Sequence, residues 1–266
     1  MKSYTFFMVN AFGVGPRSGN PAGVCILDHW LSTPELQGMA RQLNQPETAF
    51  VIPSKNKTWA IRWFSVSREI DLCGHATLAA AHCLFKNKLN PDDQQISFTS
   101  KSGELVSTLH QDKTIEVVLP SISSNPSKLS SQIVEGLGAY PESVWLGTNY
   151  LCLFDSQQTI ESLQPDFTTL LSLREGLGVI VTALSTSKEY DFVSRYFAPQ
   201  IGINEDHATG AAHCMLVPFW SNRLRKTKLT ALQVSSRGGK FYCENLEKAV
   251  SLRGNADTFL TGELHF

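Results

Sequence analysis

The sequence predicts an α+β protein built of two similar halves, and three observations lead there. First, stretches of the first half return in the second, in the same order and displaced by about half the chain. "HATLAAAHC" at 75–83 is echoed by "HATGAAHC" at 207–214, and "RWFSV" at 62–66 by "RYFAP" at 195–199. "TSKSG" at 99–103 is matched by "SSRGG" at 235–239, and more loosely "SGNPAGVCIL" at 18–27 by "LGTNYLCLFD" at 146–155. Second, each half sets short apolar runs of strand type beside one Ala-rich run of helix type. Third, 42% hydrophobic and 18% charged residues can bury a core in each half and leave little for disorder. Two copies are too few for a solenoid, where several short repeats must stack. A pair of related domains is expected instead, 1–118 and 119–254.

The elements follow in order. Residues 4–12 alternate and are rich in aromatics, and no small-x-small cleavage site follows them, so they are expected as a first strand and not a signal peptide. "AGVCIL" at 22–27 and "TAFVIP" at 48–53 have the composition of short buried strands. Between them, Ser32-Thr33-Pro34-Glu35 supplies a cap, a first-turn proline and a capping-box glutamate. Leu36, Met39, Ala40 and Leu43 then recur at helical spacing until Gln45-Pro46 stops the helix; "PDFTTLLSLRE" at 165–175 is its expected counterpart. "HATLAAAHCLFKNKL" is a second helix of strong formers, with Lys86 and Lys88 at its end, where cations suit the dipole. Its Ala76, Ala79, Ala80 and Ala81 let another element approach closely. The copy at 209–224 carries Pro218, which is expected to kink the helix or end its first part.

Composition also excludes function classes. A formal net charge of −1 offers no basic surface for nucleic acid or an anionic membrane. No apolar run is long enough to span a bilayer. The six cysteines are scattered without CxxC spacing, which points to reduced thiols in a cytoplasm. His75, His82, His207, His213, Cys73, Cys83 and Cys214 could in principle bind a metal, but neither H-x-x-x-H nor C-x-x-C spacing occurs, so no metal is expected. "GVGPRSG" is neither a dinucleotide fingerprint nor a P-loop, so no cofactor is expected either.

Chemistry is expected at the two helix starts. The first backbone N–H groups of a helix lack partners and its dipole is positive there, so a carboxylate or phosphate is attracted. Gly74 and Gly210 permit close approach to the backbone. Cys73-Gly74-His75 stands at one start and Glu205-Asp206-His207 at the other. His75 and Asp206 are a candidate proton-handling pair, against the plainer reading of capping or surface residues. Glu47, in "NQPETAFVIP", leaves the chain at the edge of a buried strand, where a carboxylate can serve as acid or base or simply cap a turn. Its counterpart near Val179 is not acidic, so the repeat supplies two anion cradles and one such acid.

Taken together, "SGNPAGV", "ETAFV", "EIDLCGHATLAAAH", "DFVSRYFAP", "GINEDHATGAAH" and "QVSSRGG" resemble the PhzF-like (phenazine biosynthesis-like) family within the diaminopimelate epimerase-like fold. The resemblance covers nearly the whole chain. It implies two halves, each a curled, mostly antiparallel, barrel-like sheet around a central helix, with an active-site cleft between them and the tail 255–266 returning to the first half. It also implies a homodimer. Carried over by position, Glu47 matches the family's acid/base, and His75 and Asp206 match the histidine and aspartate of its motifs. Asn20, Gly74, Thr209, Gly210, Ala211, Arg237 and Gly238 fall at substrate-binding positions. Three residues depart from the pattern: His207 replaces a proline, Ala211 a serine assigned to the site, and Asn10 an early aspartate. The expectation is a cofactor-independent isomerase that shuttles a proton on a small carboxylate-bearing metabolite. A non-catalytic ligand-binding homologue, suggested by Ala211, is the alternative. A thiol-dependent epimerase acting through Cys73 is opposed by Thr209 at the matching place in the second half.

Overall fold

The computed structural model describes residues 2–90, 92 and 94–266, and forms two compact units: Met1–Leu119 together with Arg253–Phe266, and Pro120–Leu252. In the first unit, β1 (Ser3–Ala11) pairs antiparallel with β2 (Asn20–Ile26). Helix α1 (Thr33–Leu43) carries the chain across to β3 (Glu47–Pro53), which lies parallel to β2. β4 (Trp59–Ser65) returns antiparallel along β3, with β5 (Glu69–Ile70) hairpinned onto it. A second crossover, α2 (Gly74–Lys86), leads to β6 (Gln95–Ser100), parallel to β4. β7 (Gly103–Leu109) and β8 (Ile115–Pro120) continue antiparallel.

The second unit repeats this plan. β9 (Asn125–Ser127) and α3 (Ser131–Leu137) precede β10 (Ser143–Leu146), which pairs antiparallel with both β9 and β11 (Tyr150–Leu153). α4 (Gln157–Ser162) and α5 (Phe167–Leu171) cross to β12 (Val179–Leu184), parallel to β11. β13 (Phe192–Ala198) is antiparallel to β12, and β14 (Ile203–Asp206) lies against it. α6 (Gly210–Leu224) then crosses to β15 (Lys228–Gln233), parallel to β13, followed by antiparallel β16 (Gly239–Asn245) and then β17 (Ala249–Gly254). β18 (Ala256–His265) completes the first unit, antiparallel on the other side of β1, as β9 lies beside β10. The fold is thus α+β, with one succession of antiparallel and parallel joins written twice. A parallel join cannot be closed by a tight hairpin, so helical crossovers fall at the same places in both copies.

Side chains repeat with the ladders. Arg62 grips Glu69 with Nε and Nη2 at 2.7 and 2.8 Å, and Arg195 grips Glu205 with the same two nitrogens at 2.8 and 3.0 Å. Each guanidinium lies over the phenylalanine two residues on, 5.1 Å from the Phe64 ring and 4.9 Å from that of Phe197. The doubled His-Ala-Thr phrase is less faithful to the repeat. The helices start at Gly74 and Gly210, 136 positions apart, whereas the phrases at 75 and 207 are 132 apart. The mismatch is four residues, about one helical turn. His75-Ala76-Thr77 therefore lies inside the first turn of α2, while His207-Ala208-Thr209 precedes α6. What the two starts share is a side chain bonded back to the residue before the helix: the Thr77 hydroxyl donates to the Cys73 carbonyl at 2.6 Å, and His213 Nδ1 to that of Thr209 at 2.8 Å.

Helix α1 forms as its sequence signals dictate. Ser32 and Glu35 make a reciprocal capping box, Leu36, Met39 and Ala40 are buried, and Asn44 ends the helix in the left-handed region. The expected counterpart over 165–175 is shorter, since only Phe167–Leu171 is helical and α4 takes up part of the crossover. Asp166 caps it, but Thr168 and Thr169 are weak helix formers and Leu171 faces solvent. α2 ends at Asn87, so Lys88 lies beyond it with a φ of 52°. The four alanines of α2 are fully buried, which fits a crossover helix enclosed by its own unit. Among the described residues no helix is long and apolar enough to cross a membrane.

Pro218 does not end α6, which runs unbroken from Gly210 to Leu224. A proline there removes the N–H that would bond to the Cys214 carbonyl four residues earlier. Ile122, on the segment after β8, donates its N–H to that carbonyl at 3.0 Å. The orphaned acceptor thus gains a partner from outside the helix. Ile122→Pro, which deletes the donor, should lower the unfolding free energy by about 1–3 kcal/mol in urea titrations, clearly more than Ile122→Ala does.

Candidate functional site

Three elements of the first unit bring their starting residues together. Glu47 opens β3, opposite Ala22 of β2 and Ser65 of β4. Asn20 opens β2 directly after Gly19, whose φ of 82° turns the chain where an added Cβ would strike the Ala11 carbonyl. His75 is the second residue of α2, and Cys73 its N-cap. His75 Nε2 lies 3.1 Å from Glu47 Oε2, with side chains 6% and 12% exposed, but off the line of a hydrogen bond. The other ring nitrogen, Nδ1, is 3.5 Å from Cys73 Sγ and 3.3 Å from Asn20 Nδ2. Burial works against a charged His75 ring, yet the Cys73 sulfur and Glu47 carboxylate on its two sides outweigh it and hold its pKa well above the ordinary histidine value. Burial likewise lifts the Cys73 thiol, with Glu47 adding to the effect and His75 opposing it.

The second unit builds a different polar centre around its helix start. Asp206 ends β14 and is buried. Its Oδ2 accepts from the Thr209 hydroxyl at 2.5 Å and its Oδ1 from the His207 N–H at 3.1 Å. Thr209 is the N-cap of α6 but spends its hydroxyl on Asp206 and not on the helix. Gln233, at the end of β15, locks the turn: Oε1 accepts from the Thr209 N–H at 2.8 Å, while Nε2 donates to the Asp206 carbonyl at 2.6 Å. Gly210 is buried, whereas Ala211 lies exposed in the first turn. Arg237 and Gly238 belong to the β15–β16 turn, where Gly238 has a φ of 72° and donates to Ser235. Ser235 in turn donates its hydroxyl to the His207 carbonyl at 2.7 Å. Burial and the positive charge of Arg237 lower the His207 pKa against the opposing pull of Asp206 and Glu205.

The structure therefore gathers Asn20, Glu47, Gly74 and His75 in one unit, and Asp206, Thr209, Gly210, Ala211, Arg237 and Gly238 in the other. Two further histidines serve elsewhere. His82 Nε2 meets the Thr258 hydroxyl at 2.9 Å, and His213 stacks on Phe241 at 3.7 Å in the core. Gln233 opens the "QVSSRGG" stretch, yet the sequence assigns it no role, because an uncharged amide carries no signal until its bonds are seen. One donor of each of Glu47, Cys73 and His75 lies within 4.8 Å of the others, a grouping that spacing rules for metals cannot detect across distant segments.

The duplicated α+β unit defines a class, the diaminopimelate epimerase-like fold. A hydroxyproline epimerase from Agrobacterium vitis shares that fold, with a TM-score of 0.63 at 10% identity over 98% of this chain and 92% of that one. The chain belongs to the phenazine biosynthesis-like family, whose model matches residues 9–262. An Enterococcus faecalis protein of the PhzF family superposes with a TM-score of 0.93 at 39% identity, covering all of both chains. A Pseudomonas aeruginosa protein named as an uncharacterized isomerase is 40% identical over 98% of each chain.

The histidines should separate by titration. Burial depresses His213 and His82 to about 4, while His75 is raised. Between pH 6.5 and 4 the unfolded chain takes up a proton that folded His213 refuses, so its contribution to stability falls as pH drops, by about 3 kcal/mol in all. His75 acts in the opposite sense: its pairing stabilises at low pH and is lost as pH rises through its elevated folded value. Ring-carbon NMR titrations should show these directions, and His213→Leu should flatten the acid side of the stability curve.

Proposed function

We propose that the protein is a cofactor-independent isomerase that moves a proton on a small carboxylate-bearing metabolite. The observation that carries this reading is the Glu47–His75 contact at 3.1 Å, with Cys73 behind the imidazole. Glu47 removes the proton from one carbon and returns it to another, and His75 orients and polarises. The corresponding strand start in the second unit is Val179, fully buried and apolar, so the repeat supplies no second base at that place. That asymmetry favours a shuttle within one substrate over two bases on opposite faces. The two-thiol alternative is weakened in the second unit, where the residue matching Cys73 is Thr209, bonded to Asp206.

The substrate carboxylate is assigned to the helix starts, whose N-cap side chains, Cys73 and Thr209, leave the first N–H groups to a ligand. Asp206 is assigned a polarising role, and Asn20, Gly74, Thr209, Gly210, Ala211, Arg237 and Gly238 line the binding positions. The working form is taken to be a homodimer by family resemblance, a point light scattering checks. The six cysteines are free and buried, which suits action in a reducing cytoplasm. The buried Glu47–His75 contact favours catalysis over ligand binding alone.

A metabolite screen by thermal shift supplies the ligand, since a compound at about 100 times its Kd adds about 2.7 kcal/mol. With that substrate, Glu47→Gln should lower kcat by about 10²–10⁴-fold and leave binding largely intact. His75→Ala and Asp206→Asn should each cost less. NMR in deuterated water follows label at the accepting carbon, and an unchanged rate in Glu47→Gln removes the mechanism.

A further inference from the structure

The cluster that handles the proton is also a chelating set. Carboxylate oxygen, thiol sulfur and imidazole nitrogen are three different donor types, and one donor atom of each residue lies within 4.8 Å of the other two. Sγ of Cys73 and Nδ1 of His75 are 3.5 Å apart. With metal–sulfur and metal–nitrogen bonds of about 2.3 and 2.0 Å, a tetrahedral ion separates two such donors by about 3.5 Å. The pair is thus already at chelating distance, and the Asn20 amide, 3.3 Å from the same Nδ1, is the group an ion displaces. Glu47 faces the other ring nitrogen and needs to swing toward Nδ1 to complete the set. Its side chain is 12% exposed against 6% for His75, and the swing exchanges its 3.1 Å ion pair with Nε2 for a bond to the ion. Cys73 and His75 are held at the first turn of a buried helix, so two donors are rigid and the third is adjustable.

We propose that Glu47, Cys73 and His75 form an inhibitory site for a thiophilic divalent cation such as Zn²⁺ or Cd²⁺. Three protein donors of mixed N, O and S type leave one position of the tetrahedron for water, which suits these ions and not Mg²⁺ or Ca²⁺. The inhibitory effect rests on the proton-transfer role proposed above, because a carboxylate bound to the ion cannot accept a proton. Binding itself does not rest on it.

Cobalt(II) is the probe, since its thiolate complexes absorb by sulfur-to-metal charge transfer. Titration into the full chain should give one equivalent of that band, and Zn²⁺ should displace it. Outer partners of metal ligands alone change affinity about 10–100-fold, so Cys73→Ser, His75→Gln and Glu47→Gln should each weaken binding at least about 100-fold. Cys73→Ser should abolish the band outright, and thermal melts confirm that each variant is folded. His82→Gln, outside the cluster, should bind as the parent does. No band in the parent, or a band that survives Cys73→Ser or is unaffected by Glu47→Gln, overturns the site. If cobalt binds as described but Glu47→Gln turns over normally, the proton-transfer reading falls and the metal site stands. If Glu47→Gln loses turnover but the parent binds no cobalt, the metal site falls and the proton-transfer reading stands.

Discussion

The parallel join between β4 and β6, repeated between β13 and β15, is the constraint on which the rest of this structure depends. Two strands running the same way cannot be linked by a turn, so the chain must travel the length of the sheet and come back. α2 and α6 are those return paths. Because α2 is enclosed by its own unit, its surface is alanine where a larger residue would not fit, and its start is buried as well. A buried helix start cannot rely on water for its first N–H groups. Whatever stands there has to be polar, bonded or ready for a ligand, and that is where Cys73, His75, Asp206 and Thr209 are found.

One backbone plan thus carries two different polar centres through three substitutions. At the N-cap the pair is Cys73 and Thr209; at the second helical position it is His75 and Ala211; at the opening of the strand after the first crossover it is Glu47 and Val179. The first unit sets sulfur, imidazole and carboxylate in one line of contact. The second turns its hydroxyl and amide groups inward, Thr209 to Asp206 and Gln233 to both, and leaves a small exposed residue at the helix start. The Arg62–Glu69 and Arg195–Glu205 grips, by contrast, are the same in both units. They hold β5 to β4 and β14 to β13, which is framework common to each copy.

Much of this is legible in the residues. The ordered echoes locate the repeat because they fall on equivalent strands and hairpin turns. The capping box at Ser32–Glu35 predicts α1 correctly because its signals are local. Features that depend on distant partners are harder to read. The local rule makes Pro218 a break, and the rule is sound, but the donor that satisfies Cys214 comes from Ile122, far back in the chain. Over 165–175 the expected helix is too long, because apolar spacing does not reveal that Leu171 faces solvent and that the chain leaves the helix at Ser172. The doubled His-Ala-Thr phrase points to the right helices but in the wrong register, since Ala-rich helix starts match each other at several alignments. Motif and resemblance single out Glu47, His75 and Asp206 as candidates, whereas Gln233 is visible only through the N–H groups that surround it.

The placement of β18 has a bearing on how the protein comes into being. Its antiparallel pairing with β1 runs almost end to end, and Lys2 and Phe266 exchange backbone bonds at 3.0 Å in both directions. During synthesis, therefore, the outer edge of β1 waits without its neighbour while the whole second unit is made, and that second unit has all its own strands before the first is complete. An aromatic-rich strand with one open edge is a template for pairing with other chains. The order of emergence from the ribosome and the order of completion are thus reversed, and the interval between them is when the nascent chain is most exposed to misassembly.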